Sequence, residues 1–269
     1  MSNRIRRLES ADIPQALAMS SAAGWNQTEY DWRLVLEMGP DGCFAMECEG
    51  VVVATATSIA YGDDLAWIGM VLTHPEYRRR GFARAVMKRV LEYLEGLGSR
   101  TVKLDATKLG APLYRELGFV DECAIERWAR PRRASPTSST MDDFALPAAL
   151  DAEAFGADRS GLLQRLAVLE SASNGKAGFA MGRPGANAAY FGPCVSRSHD
   201  TARALAEWFL ARHPDEWVFW DILPENGAAA NVARELGFTA ARRLTRMLRG
   251  AQIRQNTSLV YAGAGFEFG

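Results

Sequence analysis

The sequence predicts a mixed α/β protein in two similar halves, on three observations: its length, the order of its apolar segments and an internal repeat. At 269 residues the chain amounts to two domains at about 150 residues each. With 48% hydrophobic and 23% charged residues, it can bury proper cores, which excludes a disordered or fibrous chain. Helical segments stand before and after a run of adjacent strands, the pattern of a layered mixed structure. The string RELGF occurs at Arg115 to Phe119 and again at Arg234 to Phe238, 119 positions apart. Carried back without a gap, the same offset sets Arg197 on Arg78, Ala202 on Ala83, and the run RAL from Arg203 on RAV from Arg84. The second half therefore reads as a duplicate of the first.

Periodicity and turn residues give the elements of the first half in order. A strand over Ile5 to Leu8 is followed by a helix from Asp12, a second helix over Thr28 to Glu37, and strands over Cys43 to Cys48, Val51 to Ala60 and Leu65 to Leu72. A helix from about Gly81 to Leu97 is ended by Gly96 and Gly98; then come a strand over Thr101 to Ala106, a helix closing at Gly118, and a strand over Phe119 to Trp128. Residues 130 to 143, RPRRASPTSSTMDD, combine prolines, a Ser/Thr cluster and charges with almost nothing to bury, the composition of a linker. The expected division is a first domain over 1–130, a linker over 131–143 and a second domain over 144–269.

Thirty-one Lys+Arg against 32 Asp+Glu give a net charge of -1, which removes the sequence-wide electrostatic drive for a nucleic-acid partner. No apolar run approaches the roughly 18 residues of a membrane span, and the opening residues MSNRIRRLESADIP lack a signal-peptide apolar core. The expectation is a cytoplasmic protein with no membrane partner. Cys43, Cys48, Cys123 and Cys194 form no C-x-x-C pair, and His74, His199 and His213 lack the spacing of a zinc site. That pattern argues against a structural metal, a redox dithiol and a disulfide framework.

The segment WIGMVLTHPEYRRRGFARAVM, Trp67 to Met87, reads as a strand, a turn through Pro75, and a helix whose first turn carries Gly81 and Ala83. A helix N-terminus has unpaired N–H groups and the positive end of the dipole, so it can hold phosphate. The small residues leave room for a pyrophosphate, and Arg78, Arg79, Arg80 and Arg84 add charge beside it. A solvated arginine run on a surface helix is the plainer alternative.

This segment resembles the acetyl-CoA motif of the GNAT superfamily, the GCN5-related N-acetyltransferases, written [Q/R]-x-x-G-x-[G/A] after the fourth strand. Arg78, Gly81 and Ala83 satisfy it. Downstream, LDATKLGAPLYRELGF resembles the second GNAT landmark, a Tyr five residues before the Phe of a Gly-Phe pair. Tyr114 holds that place, while Thr107 replaces the Asn often found seven residues earlier. The resemblance covers roughly residues 3 to 129. The second half, through FGADRSGLL, GRPGANAAYFGP and WDILPEN, looks like the degenerate GNAT-like module of certain tandem bacterial acetyltransferases. Two tandem GNAT-like domains are thus implied, each a twisted mixed β-sheet flanked by helices.

The resemblance further implies acetyl-CoA as cofactor, with the pantetheine arm along Met70, Val71 and Leu72 and the pyrophosphate on the loop Arg78, Arg79, Arg80, Gly81, Phe82, Ala83 and Arg84. It implies direct transfer of acetyl to an amine, with Tyr114 as the acid for the leaving thiolate; a phenol with a pKa of about 10 is protonated at neutral pH. At the same offset Gly81 becomes Asp200 and Tyr114 becomes Ala233. A carboxylate in an anion nest opposes phosphate, so one catalytic site is expected, in the first domain. Substrate contacts are expected from Trp25, Asn26, Gln27, Tyr30, Asp31 and Trp32 in and after the loop between the first two helices, and from Arg159, whose guanidinium suits a carboxylate. The general base stays open among Asp63, Asp64, Glu29 and Asp31. The tail from Gln252 to Gly269 is expected to pack back on a domain or to mediate assembly. The reading that results is an acetyl-CoA-dependent N-acetyltransferase acting on a primary amine of a small or amino-acid-like metabolite. Its alternatives are an idle acyl-CoA-binding or partner-docking module and an acetyltransferase for protein lysines or N-termini.

Overall fold

The computed structural model describes residues 3–133, 141 and 144–269. Much of the expected linker, residues 134–140 and 142–143, lies outside the described residues. The first half runs β1 (Asn3–Arg7), α1 (Ile13–Ala22), α2 (Glu29–Met38), β2 (Phe44–Cys48), β3 (Val51–Tyr61), β4 (Leu65–Thr73), α3 (Phe82–Gly96), β5 (Thr101–Ala106), α4 (Ala111–Glu116) and β6 (Val120–Arg130). The second runs α5 (Ala148–Phe155), α6 (Ser160–Leu166), β7 (Glu170–Asn174), β8 (Gly178–Arg183), β9 (Ala189–Ser196), α7 (His199–Arg212), β10 (Val218–Ile222), α8 (Gly227–Glu235), β11 (Thr239–Gly250) and β12 (Val260–Ala262).

Local chemistry accounts for the elements that frame the site. On α3, Val86, Met87, Val90, Leu91 and Leu94 form one buried stripe against the sheet, the spacing of an amphipathic helix. The helix stops where Gly98 takes a left-handed conformation at φ 77°. On α2, Thr28 and Asp31 form a reciprocal capping box. The run Leu65 to Met70 in β4 is buried throughout, as a strand covered on both faces must be.

The strands form one sheet in the order β1-β2-β3-β4-β5-β11-β6-β10-β9-β8-β7, with β12 added alongside β9. The halves are interleaved as well as consecutive. β11, from the second half, lies antiparallel beside β5 of the first, from Thr245 opposite Ala106 to Gly250 opposite Thr101. β6, from the first half, lies antiparallel beside β10 of the second, from Val218 opposite Arg130 to Ile222 opposite Glu126. Each half therefore lends a long strand to the other, and β6 and β11 pair with each other at the centre. Only β4 with β5 and β9 with β10 run parallel, the same pair at the same place in both halves.

Helices α3 and α4 cover one face of the first half, and α7 and α8 cover the second half. A separate core joins α1 and α2 to α5 and α6 around Trp32, Trp67, Phe155, Leu163 and Phe268. The thiols of Cys43 and Cys194 are fully buried, and burial pushes Cys43 up to about 12. No helix among the described residues is long and apolar enough to cross a membrane.

Candidate active site

Strands β4 and β5 pair only from Leu65 opposite Thr101 to Trp67 opposite Lys103. Beyond that point β4 continues to Thr73 and β5 to Ala106 without pairing, and the gap opens into a cleft of about 1400 Å³. Pairing of β3 with β4 jumps from Thr55 opposite Leu72 to Thr57 opposite Gly69. This leaves a bulge at Met70 and Val71, with Met70 held at φ 49° and its carbonyl accepting from Thr55 Oγ1 at 2.7 Å. A bulge beside a site re-aims the strand, and a non-glycine residue in that conformation costs about 1–2 kcal/mol.

At one end of the cleft α3 begins at Gly81, φ 80°, with no side chain capping it. The first helical bond runs from Ala85 N to Gly81 O at 3.0 Å, so the N–H groups of Phe82, Ala83 and Arg84 lack a partner within the helix. A Cβ at Gly81 would meet nothing within 4 Å; the glycine is required by its φ and leaves the nest open. Arg78, Arg79, Gly81, Phe82, Ala83 and Arg84 line the cleft, as do Met70, Val71 and Leu72. Arg80 does not: it donates to Glu76 O at 3.0 Å and lies over the Tyr77 ring.

Tyr114 reaches the cleft from α4. Gly110 permits this, because a Cβ there would stand 3.0 Å from the Tyr114 ring. Burial pushes the phenol well above its usual range, so it is fully protonated at neutral pH.

The rest of the lining comes largely from the second half: Arg242, Leu244, Phe266 and Glu267 join Arg127, Trp25 and Gln27 of the first. After β12 the tail crosses back over β4, so close to Gly69 that a Cβ there would stand 2.8 Å from the Glu267 Cα. The tail is fastened by Trp67 Nε1 donating to Phe266 O at 3.0 Å, Tyr61 Oη to Phe268 O at 2.8 Å and Arg159 Nη1 to Gly269 O at 2.8 Å. The Glu267 carboxylate accepts from Arg183 Nη2 at 2.6 Å and from Gln27 Nε2 at 2.7 Å. Its pKa is raised, chiefly by burial, with Asp31 adding to the effect and Arg183 opposing it.

Of the residues expected to touch the acceptor, Trp25 and Gln27 line the cleft, while Trp32 is buried in the core. Asn26 clamps the halves together, donating to Ala188 O and accepting from the N–H groups of Asn187 and Ala188. Tyr30 donates to Arg165 O at 2.9 Å. Asp31 is consumed by the α2 cap and by Arg183 Nε at 2.9 Å. Arg159 is buried in a two-point pair with Asp151, both contacts 2.9 Å. The proposed bases fare similarly: Glu29 pairs with Arg33, and Asp63 and Asp64 form the β3–β4 turn, where Asp64 pairs with Arg100 at 3.0 Å. Glu267 and Arg242 were missed. Neither belongs to a local motif, and only the return of the tail and the exchange of β11 bring them to the cleft.

The corresponding gap in the second half is filled. β9 and β10 pair only from Ala189 opposite Val218 to Phe191 opposite Trp220. Beyond this β12 lies on β9, with Val260 opposite Val195 and Ala262 opposite Cys194, and is held to β10 by Trp220 Nε1 to Tyr261 O at 2.6 Å and Gly263 N to Asp221 O at 3.0 Å. Ser198 caps α7 by accepting from Thr201 N. Asp200, expected in the place of Gly81 with its carboxylate in the nest, instead stands two residues past the cap with its side chain fully exposed; Ser198 holds the position that Gly81 holds on α3.

Residues 6–119 match the acetyltransferase (GNAT) family model, and residues 148–262 match an acetyltransferase (GNAT) domain model. An uncharacterized N-acetyltransferase, YitH of Bacillus subtilis, is 27% identical over 169 residues; the match covers 60% of this chain and 58% of that protein. A putative acetyltransferase from Pyrococcus horikoshii has the same fold over 99% of this chain and 96% of its own, with a TM-score of 0.87 at 22% identity. A tandem GNAT protein from the clavulanic acid biosynthesis pathway gives 0.65 at 16% identity over 93% of this chain and 100% of its own. The chain belongs to the GNAT acetyltransferase family, as two such domains in tandem.

Proposed function

We propose that the protein is an acetyl-CoA-dependent N-acetyltransferase with a single active site in the β4–β5 cleft, acting on a primary amine of a small metabolite. One observation carries this reading: a single cleft is lined by the uncapped N-terminus of α3, by Tyr114 and by Glu267, whose buried carboxylate accepts from Arg183 and Gln27. The open nest fits a pyrophosphate, and the widened gap beside the β4 bulge fits an extended pantetheine arm. When bound, acetyl-CoA supplies the acyl carbon that the amine attacks and the sulfur that leaves. The N–H groups of Phe82 to Arg84 and the cleft-lining arginines hold the phosphates; the N–H of Val71 polarises the acyl oxygen. Ionised Glu267 takes one proton from the acceptor ammonium, directly or through one water, to give the free amine; the second proton on nitrogen passes to water as its bond to carbon forms. Tyr114 gives its proton to the sulfur as the carbon–sulfur bond breaks.

The second half serves as wall and scaffold, because β12 occupies its gap and Ser198 its helix terminus. The test is calorimetric titration with acetyl-CoA, followed by thiol release with a panel of amines, for the native protein and Tyr114→Phe. The expected result is one site per chain and turnover that falls about 10²- to 10⁴-fold in the variant at unchanged acetyl-CoA affinity. Binding without turnover of any amine would identify an idle acyl-CoA-binding module instead.

A further inference from the structure

Phe266 and Glu267, adjacent in the tail, stand against two charge clusters of opposite excess. In the first, Arg183 serves two carboxylates, Asp31 at 2.9 Å and Glu267 at 2.6 Å, so ionised Glu267 leaves one negative charge over. In the second, Arg127 binds Asp221 through Nε at 2.8 Å and Nη2 at 2.7 Å, and its Nη1 has no acceptor among the described residues. Arg242 stands beside this pair with no ion-pair partner among the described residues, and partial withdrawal from water together with the Arg127 charge lowers its pKa. One positive charge is left over at that end. Both clusters rest on the Tyr190 ring, with Arg127 at 5.6 Å and Arg183 at 4.3 Å from its centroid, and Phe266 stacks on Arg127 at 4.4 Å.

Glu267, Arg127 and Arg242 all line the same cleft. An uncompensated guanidinium in such a cleft attracts an anion, and its planar fork matches a carboxylate in two-point geometry. A single excess charge balances one carboxylate, whereas a phosphomonoester brings about -1.5 to -2. From this arrangement we infer that the acceptor amine carries a carboxylate and binds as a zwitterion, ammonium toward Glu267 and carboxylate on Arg242 with the free Nη1 of Arg127. The inference rests on the acyl-transfer reading above. It also moves the expected carboxylate contact from Arg159, which is fully engaged, to Arg242, which β11 brings in from the second half.

The test compares the twenty common amino acids with their α-amides, their decarboxylated amines and O-phosphoethanolamine. Turnover and binding to the CoA-loaded protein are both measured, for the native chain, Arg242→Gln and Arg242→Lys. The native protein is expected to prefer at least one carboxylate acceptor over its amide about ten- to hundred-fold in kcat/KM. Arg242→Gln should bring that ratio to within about two-fold, and Arg242→Lys should retain part of it. Equal use of amides or simple amines, preference for O-phosphoethanolamine, or a ratio insensitive to Arg242 overturns the subsite while leaving the transferase reading intact. If no acceptor turns over, amino-acid binding that is lost in Arg242→Gln still supports the subsite and overturns only the transferase reading. Absence of binding as well overturns the subsite too.

Discussion

The two halves meet the same structural problem with opposite solutions. Each contains a parallel pair of strands that pair for three residues and then separate, followed by a helix that starts at the mouth of the gap. Such a gap leaves backbone groups without partners, which must be satisfied by chain, water or ligand. In the second half the chain does this itself, with β12 beside β9 and the Ser198 side chain on α7. In the first half α3 starts on an uncapped glycine and the space stays open, although β4 and β9 carry the same bulge, at Met70–Val71 and at Gly192–Pro193. The difference is made by a few residues at the rim of the gap while the framework around them is shared.

The comparison breaks most sharply at the helix termini. Gly81→Asp places a carboxylate in the nest and an L-residue at φ 80°, at a backbone cost of about 1–2 kcal/mol plus the adverse dipole interaction. Acetyl-CoA affinity measured by calorimetry should fall at least about 100-fold. The reverse change, Asp200→Gly, should create no second site, since Ser198 and β12 still fill that end; a stoichiometry rising to two would refute the assignment of the second half.

Glu267→Gln keeps the contact to Arg183 but cannot take a proton, and kcat should fall about 100-fold. Because the Glu267 pKa is raised by burial, the native rate should fall on acidification at a pH above the ordinary carboxylate range, as the ionised form is lost. A pH profile that keeps this acid limb in the variant would assign the base elsewhere. The smallest effect is expected at Ser198→Ala, which removes the cap on α7 and should lower stability by about 1 kcal/mol in denaturant unfolding. Acetyl-CoA stoichiometry should remain at one.

The repeat, the elements of the first half and the glycine that opens α3 were legible because each rests on local pattern. The apolar stripe of α3, the buried run of β4 and the glycines that stop or start helices all lie within a few residues of what they determine. The acceptor wall was not legible, for two physical reasons. Strands of the same length and alternation satisfy either neighbour, so nothing in β6 or β11 marks that they exchange halves. Buried ion pairs also hide their partners: Arg159 and Asp31 have the chemistry of substrate ligands and are spent on Asp151 and Arg183. Arg242 looks like any other arginine in the sequence; its place in the cleft opposite Arg127, with no ion-pair partner among the described residues, distinguishes it.

The exchange of β6 and β11 also sets the order in which the protein can be made. As the chain leaves the ribosome at about 5–20 residues per second, β5 emerges with one edge bare, and its neighbour β11 follows more than 130 positions later. During that interval the N-terminus of α3 and Tyr114 are already made, but the wall bearing Arg242 and Glu267 is not. An exposed strand edge is a template for wrong pairing, so nascent chains stalled before residue 239 should be the species that chaperones hold. The cleft is therefore completed late and in one step, when the second half closes the sheet of the first.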